Sequence, residues 1–352
     1  MNDQERQYAA AAPDDGSAKR RVPQESHGSD KRPVAPPPRS EAPYQPDPAG
    51  PTVIGGQTAP EQPAAPRKRR RWPIVLVLLA VLIIASLCLL AGPVLNLLAN
   101  MPSNYSYQVN PDGETCIITD YMPPFALPNG SVDLHIPGEL EGLRVTAIDT
   151  SNLGGKGSQS FYRHDELRSV VIPQGVVRIG NNAFANCSYI VSVELPDALQ
   201  EIGGLAFMNC GRLEAIEIPR GVTKIGGHAF DNCWSLTKVV IPDSVTEIGN
   251  NAFAGCSSLR SVTLPVRLKG VGVRLFSGCK SLTALTIPEG VTYIDQEAFK
   301  GCEALTALTI PERVTYIGPD AFKGCESISL HVSRDSAAHK YAMENNIPYR
   351  VK

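Results

Sequence analysis

Seven of the nine cysteines stand at one spacing: Cys187, Cys210, Cys233, Cys256, Cys279, Cys302 and Cys325, each 23 residues after the last. Thiols can form disulfides, hold zinc or act as nucleophiles, and the spacing bears on all three. In-register neighbours on stacked parallel strands point the same way with Cβ atoms about 4.8 Å apart, beyond the roughly 3.5–4.5 Å of a bridge. An odd number of cysteines also cannot all pair. Zinc would need a CxxC pair or paired histidines, and the repeated positions bring neither. The pattern therefore reads as an internal ladder of buried thiols behaving as small apolar groups. The six histidines, His27, His135, His164, His228, His331 and His339, follow no repeat and no ligand spacing. HExxH, GxSxG and a phosphate-cradling glycine loop are absent from the sequence. The expectation is a chain that is not an enzyme and uses no metal or cofactor.

The same step positions the elements around the thiols. Pro173, Pro196, Pro219, Pro242, Pro265, Pro288 and Pro311 are each 23 residues apart, as are Phe184, Phe207, Phe230, Phe253, Phe276, Phe299 and Phe322. A fixed period of this length predicts a solenoid whose units bury their apolar faces against their neighbours. Each unit reads LxxVxIP, then VxxI, then AFxxC. The first run is a strand with Leu282, Leu285 and Ile287 inward and Ala284 and Thr286 outward. The proline ends its ladder, and Gly175, Gly221 or Gly290 supplies a turn. A second short extended segment follows. Stacking seven or eight strands at about 4.8 Å predicts a sheet roughly 35 Å long. Arg178, Glu201, Lys224 and Glu247 then form one lateral row of alternating charge, continued by Gly270, Tyr293 and Tyr316. Facing pairs of this kind are worth about 0.2–1 kcal/mol each, enough for register control.

Upstream the composition changes. Residues 1–66 hold thirteen prolines and no aliphatic cluster, so they cannot bury enough apolar surface to offset their ordering entropy and are expected to be disordered. Arg67–Arg71 is a basic cluster, and the apolar run that follows carries no Asp, Glu, Lys or Arg from Trp72 until Asp112. The residues Ile74 to Ala91 alone would span about 27 Å as a helix, which predicts a single membrane crossing. Positive charge at one end only places the N-terminus in the cytoplasm and the repeats outside. Residues 101–352 carry 21 basic against 26 acidic side chains, which does not point to nucleic acid. The expected organisation is a cytoplasmic tail over 1–66, a basic stop and transmembrane helix over 67–100, an N-terminal cap over 101–164, repeats over 165–330 and a C-terminal cap over 331–352.

The IP, VTxIG and AFxxCxxL elements, with GETCIITDY at 113–121 and SAAHKYAMENNIPYRV at 336–351, resemble the BspA-like leucine-rich repeat surface proteins. The resemblance implies a mainly β solenoid that adheres to protein, host or matrix ligands. A rival reading is a transmembrane sensor or scaffold whose tail recruits partners. Where the repeats diverge, the residue after each cysteine is expected to be exposed: Ser188, Gly211, Trp234, Ser257, Lys280, Glu303 and Glu326. Trp234 is the chemical exception there. Tyr189, Met208 and Arg212 flank it, and Arg267, Lys269, Arg274 and Lys280 form a basic group expected to rim the patch.

Overall fold

The computed structural model describes residues 92–123, 126–149 and 160–352. The tail, the basic cluster and the apolar run Ile74 to Ala91 lie outside these residues. Among the described residues no helix is long and apolar enough to cross a membrane.

The extended segments stack in two rows. The LxxVxIP row runs through Leu167–Val171, Ser192–Glu194, Lys238–Val240, Ser261–Thr263, Ala284–Leu285 and Ala307–Thr309. The VxxI row runs from Arg178–Ile179 to Tyr316–Ile317 in two-residue strands. Pairing is parallel and advances by the repeat, as in Lys238 to Ser261 to Ala284 and Arg178 to Glu201 to Lys224 to Glu247. The expectation of one long sheet is corrected, because both rows are cut into shorter sheets. Strands of two or three residues make few ladder bonds, so any local irregularity interrupts them. In the first row one cut falls at Ala215, which makes only single bridges to Ser192 and Lys238, and another separates Ala284–Leu285 from Ala307–Thr309. In the second row the cut precedes Gly270, where the Tyr293 ring fills the space that a side chain at 270 would need.

The AFxxC turn carries the stack across these cuts. The N–H groups of Asn182, Phe184 and Asn186 donate to the carbonyls of Gly204, Ala206 and Met208 at 2.9, 2.8 and 2.7 Å. Two residues per turn are left-handed. One row is Asn186, Asn209, Asn232, Gly255, Gly278, Gly301 and Gly324, and the other is Asn182, Leu205, His228, Asn251, Arg274, Glu297 and Asp320. Asparagine and glycine bear this conformation at least cost. The asparagines also link coils, Asn209 Nδ2 donating to Asn186 Oδ1 at 2.7 Å and Asn232 Nδ2 to Asn209 Oδ1 at 3.1 Å. By contrast, Gly175, Gly221 and Gly290 do not have positive φ. A Cβ at Gly221 would lie 2.8 Å from the Leu199 carbonyl oxygen, so close approach explains the glycine there, and Ala198, Ser244, Arg267 and Arg313 occupy the equivalent place in other coils.

Phenylalanine rings form the spine of the core, with centroids 5.3–6.0 Å apart from Phe184 to Phe322. Phe161 carries the row one coil further back, stacked on Phe184 at 4.8 Å. Tyr121 covers Phe161 at one end, and Tyr341 of the closing helix Ala337–Glu344 meets Phe322 edge-on at the other. The eight described cysteines are free and buried, and each repeat thiol donates to the carbonyl of the phenylalanine in the preceding coil. Cys187 bonds Phe161 O at 2.8 Å, Cys256 bonds Phe230 O at 3.2 Å and Cys325 bonds Phe299 O at 3.0 Å. They therefore satisfy backbone acceptors as well as filling space.

Burial pushes the Cys210 thiol up to about 12 and holds Cys187, Cys233 and Cys279 well above the ordinary range. A thiol reagent near pH 8 should therefore leave these groups untouched in the folded protein and titrate them fully once it is unfolded without reductant. Recovery of repeat-to-repeat disulfides by peptide mapping would overturn the thiol ladder.

The charged row is partly corrected. Lys224 lies 3.8 Å from both Glu201 and Glu247, as the alternation requires. Arg178 instead pairs with buried Asp149, two residues beyond Ala147, its register partner one coil back.

Candidate binding surface

The turn after each cysteine brings the following residue to the edge of the coil. Trp234 is half exposed there, at 49%, and its indole lies over Gly211 one coil back, where a Cβ would sit 2.1 Å from Cζ2. Gly211 is consequently buried, against the expectation that the whole row is exposed, and Ser188 and Ser257 are half-buried. In the adjoining row the Arg212 guanidinium stacks over Tyr189, 4.5 Å from the ring centroid, a contact worth about 0.5–1 kcal/mol at an exposed site. Tyr189 packs in turn against Gly130. Trp234, Arg212 and Tyr189 thus share one edge across three coils. Met208 is half-buried in the turn before it.

The basic group is not assembled as one rim. Arg274 Nε donates to Glu297 Oε2 at 2.6 Å, and this bond holds the Glu297 carboxyl down to about 2. Lys280 pairs with Glu303 at 3.0 Å. Lys269 lines a different depression with Lys224, Glu247 and Tyr293, on the VxxI side. Arg267 is exposed at the turn that precedes it. These four side chains occupy separate stations around the coil, and two of them are already matched by carboxylates one coil on.

The larger feature lies on the outer face of the LxxVxIP row. Where the ladder narrows at Ala215, a groove of about 820 Å³ opens, lined by Ala215 to Ile218, Arg220, Lys238 and Val240 to Ser244. Its apolar wall includes Val240, 48% exposed. Glu217, Arg220, Lys238 and Asp243 supply both signs of charge. Trp234 lies in the turn four residues before Lys238. A second apolar depression contains Leu264, Val266 and Pro288 and shares Thr263 with the first. The sequence carried a signal for both that the cysteine-centred reading missed. In the row Val171, Glu194, Glu217, Val240, Thr263, Thr286, Thr309, Val240 is apolar between Glu217 and Thr263. In the row Gln174, Asp197, Arg220, Asp243, Val266, Glu289, Glu312, Val266 alone is apolar. Their exposure, 48% for Val240 and 64% for Val266, is set by the fold.

Among the described residues no three His, Cys, Asp or Glu side chains group to hold a metal ion. The repeat thiols are buried and point at carbonyls rather than at the groove. What the surface offers is shape: a partly apolar groove with charges of both signs, beside an edge bearing Trp, Arg and Tyr, the types favoured at interface centres.

Comparison with known proteins places this geometry. The model described as a BspA type leucine-rich repeat region matches in six copies, over residues 156–239 and 223–346, more than half of the chain. A solved leucine-rich repeat protein from Bacteroides ovatus is 26% identical with a TM-score of 0.56, the match covering 66% of this chain and 64% of that one. The chain therefore spans just under two thirds of that protein's length. The leucine-rich repeat protein of T. pallidum is 29% identical with a TM-score of 0.52, over 72% of this chain and 98% of that one. Comparison with curated proteins finds no match.

Proposed function

The chain belongs to the BspA-type leucine-rich repeat family, and on that premise we propose that it is a non-catalytic binding module, anchored in the cell membrane by one helix, that adheres to protein or matrix ligands outside the cell. The observation that carries this reading is the groove between Ala215 and Ser244. It combines half-exposed Val240 with Lys238 and Glu217 on an otherwise regular face. A rigid face with an apolar centre and charged margins suits a folded partner, because burying Val240 and Trp234 gains apolar contact while the charges fix orientation. Membrane anchoring is supported by the uncharged run after Arg67–Arg71, and orientation by the side on which those charges lie.

Two measurements test the proposal. In cells carrying the full chain, surface cross-linking should yield a partner that Trp234→Ala or Val240→Arg binds roughly thirtyfold less tightly, about 2 kcal/mol, with unaltered thermal stability. Thr309→Arg, on the same outward row but beyond the groove, should bind normally. Unchanged binding in both groove-side variants would remove this face from recognition. Separately, protease added to intact cells should digest the repeats and spare residues 1–66. Loss of the tail with survival of the repeats would reverse the orientation. Truncation of residues 1–60 separates adhesion, which should survive it, from a sensor that reports through the tail.

A further inference from the structure

The N-terminal end of the solenoid is closed by side chains that come just after the apolar run Ile74 to Ala91. Residues 92–99 are helical, beginning one residue after Ala91. Asn96 and Asn100, one turn apart, face the open edge of the strand Val132–His135. Asn96 Oδ1 accepts from Asp133 N at 3.0 Å, Asn100 Nδ2 donates to Asp133 O at 3.0 Å, and Asn100 Oδ1 accepts from His135 N at 2.5 Å. Two side-chain amides thus stand in for a missing strand. The helix end is tied down as well, because Asn104 Nδ2 donates to Leu98 O and Ala99 O at 2.7 and 2.9 Å and Tyr121 Oη donates to Ala99 O at 3.0 Å. Ala99 is fully buried.

The other face of this short helix is bare. Val94, Leu97 and Met101 recur at helical spacing and are exposed, Leu97 at 70%. Met122, exposed at 62%, follows the strand that Tyr121 ends. No Asp, Glu, Lys or Arg occurs anywhere from Trp72 to Pro111, so this end of the solenoid combines exposed apolar side chains with a chain entry free of charge. Asn96 follows Ala91 by only about 7.5 Å of helix, which leaves no room for a flexible stalk.

We propose that this cap is a lipid-contacting face: Val94, Leu97, Met101 and Met122 sit in the headgroup and acyl boundary, and the Asn96–Asn100 clamp fixes the solenoid rigidly against the bilayer. The proposal rests on the reading that Ile74 to Ala91 crosses the membrane. The occupant is a lipid surface rather than another protein, because the chain that leads into the face is the apolar run itself, which ends three residues before Val94. A polar linker would be expected if the solenoid swung free; the clamp replaces it.

The test uses the full chain with Cys88→Ser in vesicles of phosphatidylcholine and phosphatidylglycerol, with a fluorophore on single cysteines from Leu97→Cys, Met122→Cys or Glu326→Cys. Lipids carrying a headgroup quencher should remove emission at 97 and 122 but leave it at 326. The pair Asn96→Ala and Asn100→Ala should still float with the vesicles and keep quenching at 97, yet lose it at 122 as the solenoid detaches. Unreactive repeat thiols show that the variant remains folded. A chain that fails to float overturns the membrane reading, and this inference with it. A chain that floats with unquenched 97 and 122 overturns the lipid face alone. Concentration-dependent shielding without lipid quenching would assign the face to a second copy and overturn it too, and quenching at 122 that persists in the double variant would overturn the clamp.

Discussion

Phe253→Ala should lower the unfolding free energy by about 3–5 kcal/mol, the range for deleting a large buried ring. Phe253 is fully buried, with Phe230 stacked at 5.3 Å on one side and Phe276 at 6.0 Å on the other. Its backbone is committed as well, since its N–H donates to Leu275 O at 3.1 Å and its carbonyl accepts the Cys279 thiol at 3.3 Å. Neighbouring coils held by these bonds cannot collapse into the void, so the cavity penalty stays. Phe322→Ala should cost less. On its far side Tyr341 covers it edge-on at 6.1 Å. The terminal coil can nevertheless loosen with the closing helix without opening the rest. Denaturant unfolding followed by circular dichroism measures both. Equal losses at the two sites would count against a stack held by nearest-neighbour contacts.

Gly226→Ala should destabilise by about 3 kcal/mol, the upper end of the overpacking range, although it adds one methyl group and removes nothing. Gly180, Gly203, Gly226, Gly249 and Gly272 form one row at the repeat spacing. A Cβ on Gly226 would lie 2.3 Å from Gly204 N and 2.5 Å from Gly203 C. Both obstacles are backbone, so no rotamer relieves them and the coils must part. The φ at Gly226 is not positive, so the cost is steric and not conformational. Gly290→Ala is the control, since its Cβ would meet nothing closer than the Val266 carbonyl oxygen at 3.5 Å. The melting temperature should fall by about 6–12 °C for Gly226→Ala and hardly at all for Gly290→Ala. A similar small change in both would mean that the coils are not held at this separation.

What the amino-acid sequence determined by itself is the content of every periodic row. In a stack the lateral neighbour of a residue is the one 23 positions away, so the phenylalanine spine, the thiol ladder and the Lys224 contacts with both glutamates follow from counting. Translation along the solenoid converts sequence period into contact. Tertiary structure decided what the period does not encode. The left-handed row through Asn182, Leu205, His228, Asn251, Arg274, Glu297 and Asp320 shares no side-chain chemistry, because the constraint lies in the backbone bonds between turns. Asp149 meets Arg178 across an irregular first coil, and Asn96 and Asn100 meet a strand more than thirty residues on. The groove lies where the ladder narrows to single bridges at Ala215. At such points the repeat symmetry is broken, and contacts are set by which side chains fit through space rather than by how far apart they stand in the chain.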